Sequence, residues 1–266
     1  MKAAKFDYAR PADLPAAIRA LGTDGAKVLG GGQSLGPMLN LRLARPELLI
    51  DVARLAGLRA VTETPEGVRY GAAITHSEIE DGVLPDPTNG VLAKIAHGIA
   101  YRAVRNRGTI GGSLAHADPA ADWPTTLMAL AASVTIAGPR GERTVPVDAF
   151  ILGAFETDLM DDEIVASVFV PRLSTSARWG YVKSCRKVGE FAESMCAVLN
   201  DQTRDVCRII VGAIEGRQIV VADARPALAD PASLDARLRA AGLASNPATF
   251  ELHRATLRAA IGQATQ

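Results

Sequence analysis

The chain has 266 residues, 48% of them hydrophobic, with 29 basic side chains against 29 acidic ones. That suits one large domain or two smaller ones with sizeable cores, excludes a disordered chain, and leaves no electrostatic footprint for nucleic acid. No apolar run approaches the ~20 residues that span a bilayer, and Met1 to Tyr8 lacks the apolar core of a secretory signal, so a cytoplasmic protein without a transmembrane segment is expected.

Phe6-Asp7-Tyr8 reads as a short strand. Asp13 is then placed to cap a helix with Leu14, Ile18 and Leu21 on one face. Ala26–Leu29 is a short buried strand, Pro37–Leu43 a short helix stopped by Pro46, and Leu48–Val52 another strand. Residues 1–55 therefore form a first α/β unit. Ala60–Thr64 and Val68–Gly71 flank a glycine turn as a hairpin. Thr75-His76-Ser77-Glu78 is a capping box. Val91–Tyr101 carries a helical apolar face, and Asp118-Pro119 reads as the start of a helix running to Ala131. Val134–Ala137 pairs with Arg143–Val147 across Gly138–Gly141, and Ile164–Val170 is a strand closed by Pro171. Residues 56–172 make the second unit. Leu173–Ser176 reads as a linker. In residues 177–266, three strand-like runs (Trp179–Lys183, Ser194–Leu199, Cys207–Gly212) precede helices at Leu234–Ala241 and Phe250–Ile261. The cysteines Cys185, Cys196 and Cys207 form no CxxC pair and have no histidine nearby. They read as small buried apolar residues in a reducing compartment.

Two glycine clusters organise the chain. One is Gly30, Gly31, Gly32, Gln33, Ser34 and Leu35; the other is Thr109, Ile110, Gly111, Gly112 and Ser113. Each follows an apolar stretch and leads toward a helical segment. Glycine lets backbone N–H groups approach an anion closely, and a helix start adds unpaired N–H groups and a dipole. Two such loops suggest a diphosphate held between them. Either alone is also compatible with a tight turn. Neither holds a Lys or Arg, so charge compensation from N–H dipoles is expected. The chain shows no Ser-His-Asp pattern, HExxH helix or GxxxxGK[ST] loop.

Three stretches carry a family resemblance: Phe6-Asp7-Tyr8 with Arg10-Pro11; Lys27 to Ala44 with Leu49-Ile50-Asp51; and Val104 to Asp122. Together they resemble the FAD-binding medium subunit of molybdenum hydroxylases, the carbon monoxide dehydrogenase and xanthine dehydrogenase group. The resemblance runs nearly end to end. It departs at Gly30, where the family usually has alanine, and at Glu190, where Arg186–Ala192 is similar to a family run with aspartate. It implies an α+β fold: a two-subdomain, PCMH-type FAD-binding fold, then a C-terminal domain of antiparallel strands and helices. It also implies an electron-transfer subunit with its own FAD. Molybdopterin and [2Fe–2S] clusters would lie on partner chains, a large and a small subunit, in a heterotrimer or a dimer of heterotrimers. No motif for those other centres is present here.

In that reading Gly30 to Ser34, with Leu35, and Thr109 to Ser113 supply backbone donors to the pyrophosphate, the Ser34 hydroxyl adding another. Asp122 is a candidate acceptor for ribityl or ribose hydroxyls. Lys187 is a candidate cation for the flavin's polar edge, or a solvated lysine. Ile99 and Val165 are candidates to line the ring or adenine pocket, and equally ordinary core residues. His116 is a candidate contact for the cofactor or an incoming iron–sulfur partner; for His76 and Asp118, local capping is the plain alternative. Two other functions stay open: a self-sufficient flavin oxidase or dehydrogenase, for which residues 177–266 make a small substrate domain, and a flavin-free docking module of the same fold.

Overall fold

The computed structural model describes residues 2–266. It opens on a small parallel sheet of β1 (Asp7–Ala9), β2 (Ala26–Leu29) and β3 (Leu48–Asp51), ordered β1-β3-β2, with α1 (Leu14–Leu21) and α2 (Leu35–Asn40) in the connections. Asp13 caps α1 by accepting from the Ala16 amide at 2.8 Å. The second helix starts at Leu35, earlier than expected, and stops at Asn40. It stops because Arg42 takes a left-handed φ of 58° and the amides of Arg42 and Leu43 fold back onto the carbonyls of Leu39 and Met38. Ala17, Ile50 and Val52 pack in one cluster with Ala73, Ile164 and Ala166 of the next unit. Short strands of this kind cannot stand alone, and that shared seam is what fixes the parallel sheet against its neighbour.

The next unit holds α3 (Ala56–Arg59), β4 (Val61–Thr64), β5 (Gly67–Gly71), α4 (His76–Glu80), α5 (Val91–His97), α6 (Arg102–Arg105), α7 (Ile110–His116), α8 (Asp122–Ala129), β6 (Ser133–Gly138), β7 (Gly141–Pro146), α9 (Val147–Phe150), β8 (Ile151–Gly153), β9 (Glu156–Thr157) and β10 (Ile164–Pro171). Its sheet, β4-β5-β10-β6-β7, is antiparallel throughout. The capping box at Thr75 and Glu78 is present. Two helix expectations are corrected. The helix from Val91 ends at His97, because Gly98 caps it and Ala100 turns left-handed. The helix expected from Asp118 begins at Asp122: Ala117 is left-handed, and the Asp118 carboxylate accepts from the Ala120 amide at 2.9 Å, closing a turn.

The last unit is the antiparallel sheet β11 (Arg178–Ser184), β12 (Ser194–Asp201), β13 (Val206–Gly212) and β14 (Ile219–Val221), with α10 (Arg225–Ala229), α11 (Asp235–Ala240) and α12 (Pro247–Thr265). The fourth strand was not foreseen, and α12 starts earlier than expected because Asn246 caps it. One face of this sheet packs on α12; a Cβ at Gly180 would lie 3.2 Å from the Ala264 amide nitrogen. Its other face sends Ala197, Leu199 and Ile210 into a core shared with α8, every residue of which is buried. Cys196 and Cys207 are buried as expected, while Cys185 is half-buried; all three are free thiols. Ser174, in the expected linker, is tied down by its amide and hydroxyl, which donate to Asp201 at 3.0 and 2.6 Å. Among the described residues no helix is long and apolar enough to cross a membrane.

Candidate functional site

The three parallel strands all end at one edge, where β1 gives Arg10, β2 the first glycine cluster, and β3 Asp51 to Arg54. Ligands of open parallel sheets gather at that edge. Gly31 is buried there, with room for no side chain: a Cβ would lie 2.5 Å from the Arg107 carbonyl carbon and 2.8 Å from Gly108 Cα. At Gly30 a Cβ would lie 3.3 Å from Thr109 Oγ1. The two glycine clusters, remote in sequence, are therefore in contact. Gly32 has a φ of 72°. Among the described residues, the amides of Gly31, Gly32, Gln33, Ser34 and Leu35 have no acceptor within the chain, and the Ser34 hydroxyl makes no capping bond. This row of free donors beside a close backbone approach fits an anionic phosphate group.

The second cluster differs from expectation. It is the first turn of α7, and its amides are already used: Ile110 donates to Ile74, Gly111 to Ala72, Ser113 to Thr109, and Gly112 to Thr109 Oγ1 at 3.1 Å. What it offers a ligand is the helix dipole and the Thr109 amide, which has no acceptor among the described residues. Gly111 lacks a side chain because a Cβ would lie 2.8 Å from Ala72 Cα. Gly108 is pressed likewise on His76, 2.8 Å from its Cδ2. His76 is a buried structural histidine: its Nδ1 accepts from Trp123 Nε1 at 3.0 Å, and burial, with the nearby Arg105 charge, lowers its pKa to about 4.

A cleft of 360 Å³ opens where the clusters meet, lined by Gly31, Thr75 and Thr109 and by four arginines, Arg10, Arg54, Arg59 and Arg107. Beside the N–H dipoles expected to compensate charge, the cleft therefore brings arginines from outside the loops. Arg10 pairs with Asp51 at 3.4 Å, and Arg59 with Glu78. Burial pulls the Asp51 carboxyl up, but the Tyr8 hydroxyl, the Ala53 amide and Arg10 together hold it below its usual range. A wider depression of 480 Å³ beside Asp148 and Arg217 contains neither cluster.

The other expected residues lie farther along the same seam or inside the protein. Ile99 is half-buried, and its carbonyl accepts from Arg105 at 2.8 Å; Arg105 also grips the Ala100 carbonyl and both oxygens of Glu80. This places the Ile99–Ala100 turn. Gly189, at a φ of 91°, leans on it, since a Cβ there would lie 3.1 Å from the Ala100 carbonyl carbon. Lys187 is exposed on that same loop, beside the exposed Val188 and Phe191. His116 stacks on Phe155 with ring centres 5.1 Å apart. Asp122 is engaged within the chain: its carboxylate accepts from Tyr181 Oη at 2.7 Å and Lys183 Nζ at 2.9 Å. Burial raises its pKa against the pull of Lys183 and Tyr181. It clamps the last sheet to α8. Val165 is buried on β10 opposite Ile136, within the core of the second sheet. Among the described residues no group of three or more His, Cys, Asp or Glu side chains is placed to hold a metal ion. The cleft arginines, Arg105 and Lys183 were missed in the sequence. Only Arg54, just past a strand end, and Arg107, just ahead of the second cluster, carried a positional hint.

Residues 4–173 match the model of the family described as the FAD binding domain in molybdopterin dehydrogenase. The chain belongs to that family. It is an FAD-binding medium subunit of the molybdenum hydroxylases, a subunit type of FAD-dependent oxidoreductases. Among its relatives, the nicotine 6-hydroxylase medium subunit of Paenarthrobacter nicotinovorans is 37% identical over 233 residues, covering 86% of this chain and 81% of that one. The carbon monoxide dehydrogenase medium chain of Hydrogenophaga pseudoflava is 40% identical over 197 residues, covering 73% and 69%. Solved structures agree in fold. A carbon monoxide dehydrogenase from H. pseudoflava superposes with a TM-score of 0.88 at 31% identity, over 100% of this chain and 99% of that one. Quinoline 2-oxidoreductase from Pseudomonas putida 86 gives 0.83 at 29%, with the same coverage. The free amides, glycine contacts and cationic cleft are the features by which this medium subunit fits FAD.

Proposed function

We propose that this medium subunit carries electrons between a molybdenum centre on a large partner chain and an external acceptor, receiving them through [2Fe–2S] clusters on a small partner chain. The observation that carries the reading is the edge of the parallel sheet, where a row of five free amides begins at Gly31, which lines the cleft together with Thr109 of the other glycine cluster. FAD held there supplies a carrier able to take and release electrons singly or in pairs. The chain's own part is to bind and to hold. Gly31 to Leu35 donate to the diphosphate, and Thr109 adds its amide from the facing unit. Arg105 fixes the Ile99–Ala100 turn, and the 185–193 loop closes over that turn. Lys183 and Asp122 keep the last sheet, and with it that loop, in register. The medium-subunit relatives support partner chains, and a cytoplasmic heterotrimer or its dimer is the assembly we assign.

The test is to strip flavin from the purified holoenzyme. Substrate should still bleach the visible bands of the iron–sulfur clusters, while reduction of the external acceptor stops and returns when FAD is restored. Substrate oxidation by the isolated, FAD-loaded chain would favour the self-sufficient flavoenzyme instead.

A further inference from the structure

We propose that Arg54 and Arg107 form a cationic clamp on the diphosphate side of the cofactor, making retention of FAD ionic and selective for the dinucleotide over the mononucleotide. This inference rests on the flavin reading of the cleft. Four arginines line the cleft, and two of them are neutralised in place, Arg10 by Asp51 and Arg59 by Glu78. Arg54 and Arg107 make no ion pair and no side-chain hydrogen bond among the described residues, and both are exposed. They come from separate stretches of the chain, Arg54 just after β3 and Arg107 just before α7.

The cleft thus carries two uncompensated positive charges beside the free amides of Gly31 and Thr109. A diphosphate diester carries two negative charges. Two unpaired arginines that line one cleft with free backbone amides present the donor types of phosphate recognition. The mononucleotide has one phosphate group to offer the two arginines where the dinucleotide has two, and that difference is what the clamp discriminates.

The experiment titrates the full-length apo-chain with FAD, FMN and ADP, following flavin fluorescence and competition, at several salt concentrations. Wild type should bind FAD, release it to ADP, and lose affinity as salt rises. Arg107→Ala and Arg54→Ala should each weaken FAD binding roughly tenfold to a hundredfold, the size of one charge-assisted hydrogen bond. Each should flatten the salt dependence, with a smaller loss for FMN than for FAD. Arg107→Lys should retain part of the effect, and Arg19→Ala, on an exposed face of α1, none. Since neither clamp residue bonds within the chain, the urea midpoints should match wild type. Variants that bind FAD with wild-type affinity and salt slope overturn the clamp and leave the flavin reading standing. A wild-type chain that takes up no FAD overturns both.

Discussion

Gly31→Ala isolates the contact between the two glycine clusters. The added methyl carbon would sit 2.5 Å from the carbonyl carbon of Arg107 and 2.8 Å from Gly108 Cα, where ordinary contacts run 3.4–4 Å. Relief requires a backbone shift of more than 0.9 Å, the difference between 3.4 and 2.5 Å, because the Arg107 carbonyl oxygen would be nearer still and no side chain can rotate away. Overpacking of that kind costs about 1–3 kcal/mol. The shift also moves the amides of Gly31 to Leu35 off a common focus, and FAD affinity should drop at least about tenfold. Urea unfolding gives the first quantity and fluorescence titration the second. Gly36→Ala is the control: its Cβ meets nothing within 4 Å on α2, and helix propensity favours alanine by about 1 kcal/mol. A Gly31→Ala chain with the midpoint and FAD affinity of wild type would refute the reasoning.

Other outcomes follow from the same geometry. His76 has a pKa lowered to about 4 by burial and by Arg105, against an ordinary 6.5. The unfolded chain therefore binds more protons between those values, and stability present above pH 6.5 declines on acidification toward 4, by at most roughly 3 kcal/mol. His76→Gln should flatten that slope in urea unfolding across the range, and an unchanged slope would count against it. Lys183→Met leaves Asp122 buried with only Tyr181 and should cost about 3–5 kcal/mol; adding Asp122→Asn should recover part of it, and equal midpoints for the single and double variants would contradict the pairing. Thr109→Val removes the cap of α7 and should lower stability by about 1–2 kcal/mol in thermal unfolding.

The legible parts of the fold were those written in local chemistry. Asp13, the Thr75–Glu78 box and the Pro65-Glu66-Gly67 turn act on their immediate neighbours, and their elements stand where the residues indicate. Three of the misplaced boundaries share one cause. Arg42, Ala100 and Ala117 adopt left-handed backbone without being glycine or asparagine, so nothing in their identity marked the break. β14 is three residues long and is held by its neighbour rather than by its own pattern. At the site, the glycine clusters were visible as motifs, but that the amides of the second cluster are spent inward depends on Ala72 and Ile74, distant in sequence. The cleft arginines come from three separate stretches, and the partners that neutralise two of them cannot be read from spacing. Asp122 and Val165 look alike in sequence as pocket candidates. Their surroundings differ: Asp122 is buried against Lys183, and Val165 within the second sheet.

The central claim is that this chain itself holds FAD. The most direct measurement is the visible absorption spectrum of the purified chain before and after adding FAD, with the released flavin identified on denaturation. The account expects flavin bands that remain through desalting and a released cofactor that is FAD and not FMN. A chain that stays colourless at micromolar FAD would contradict the claim.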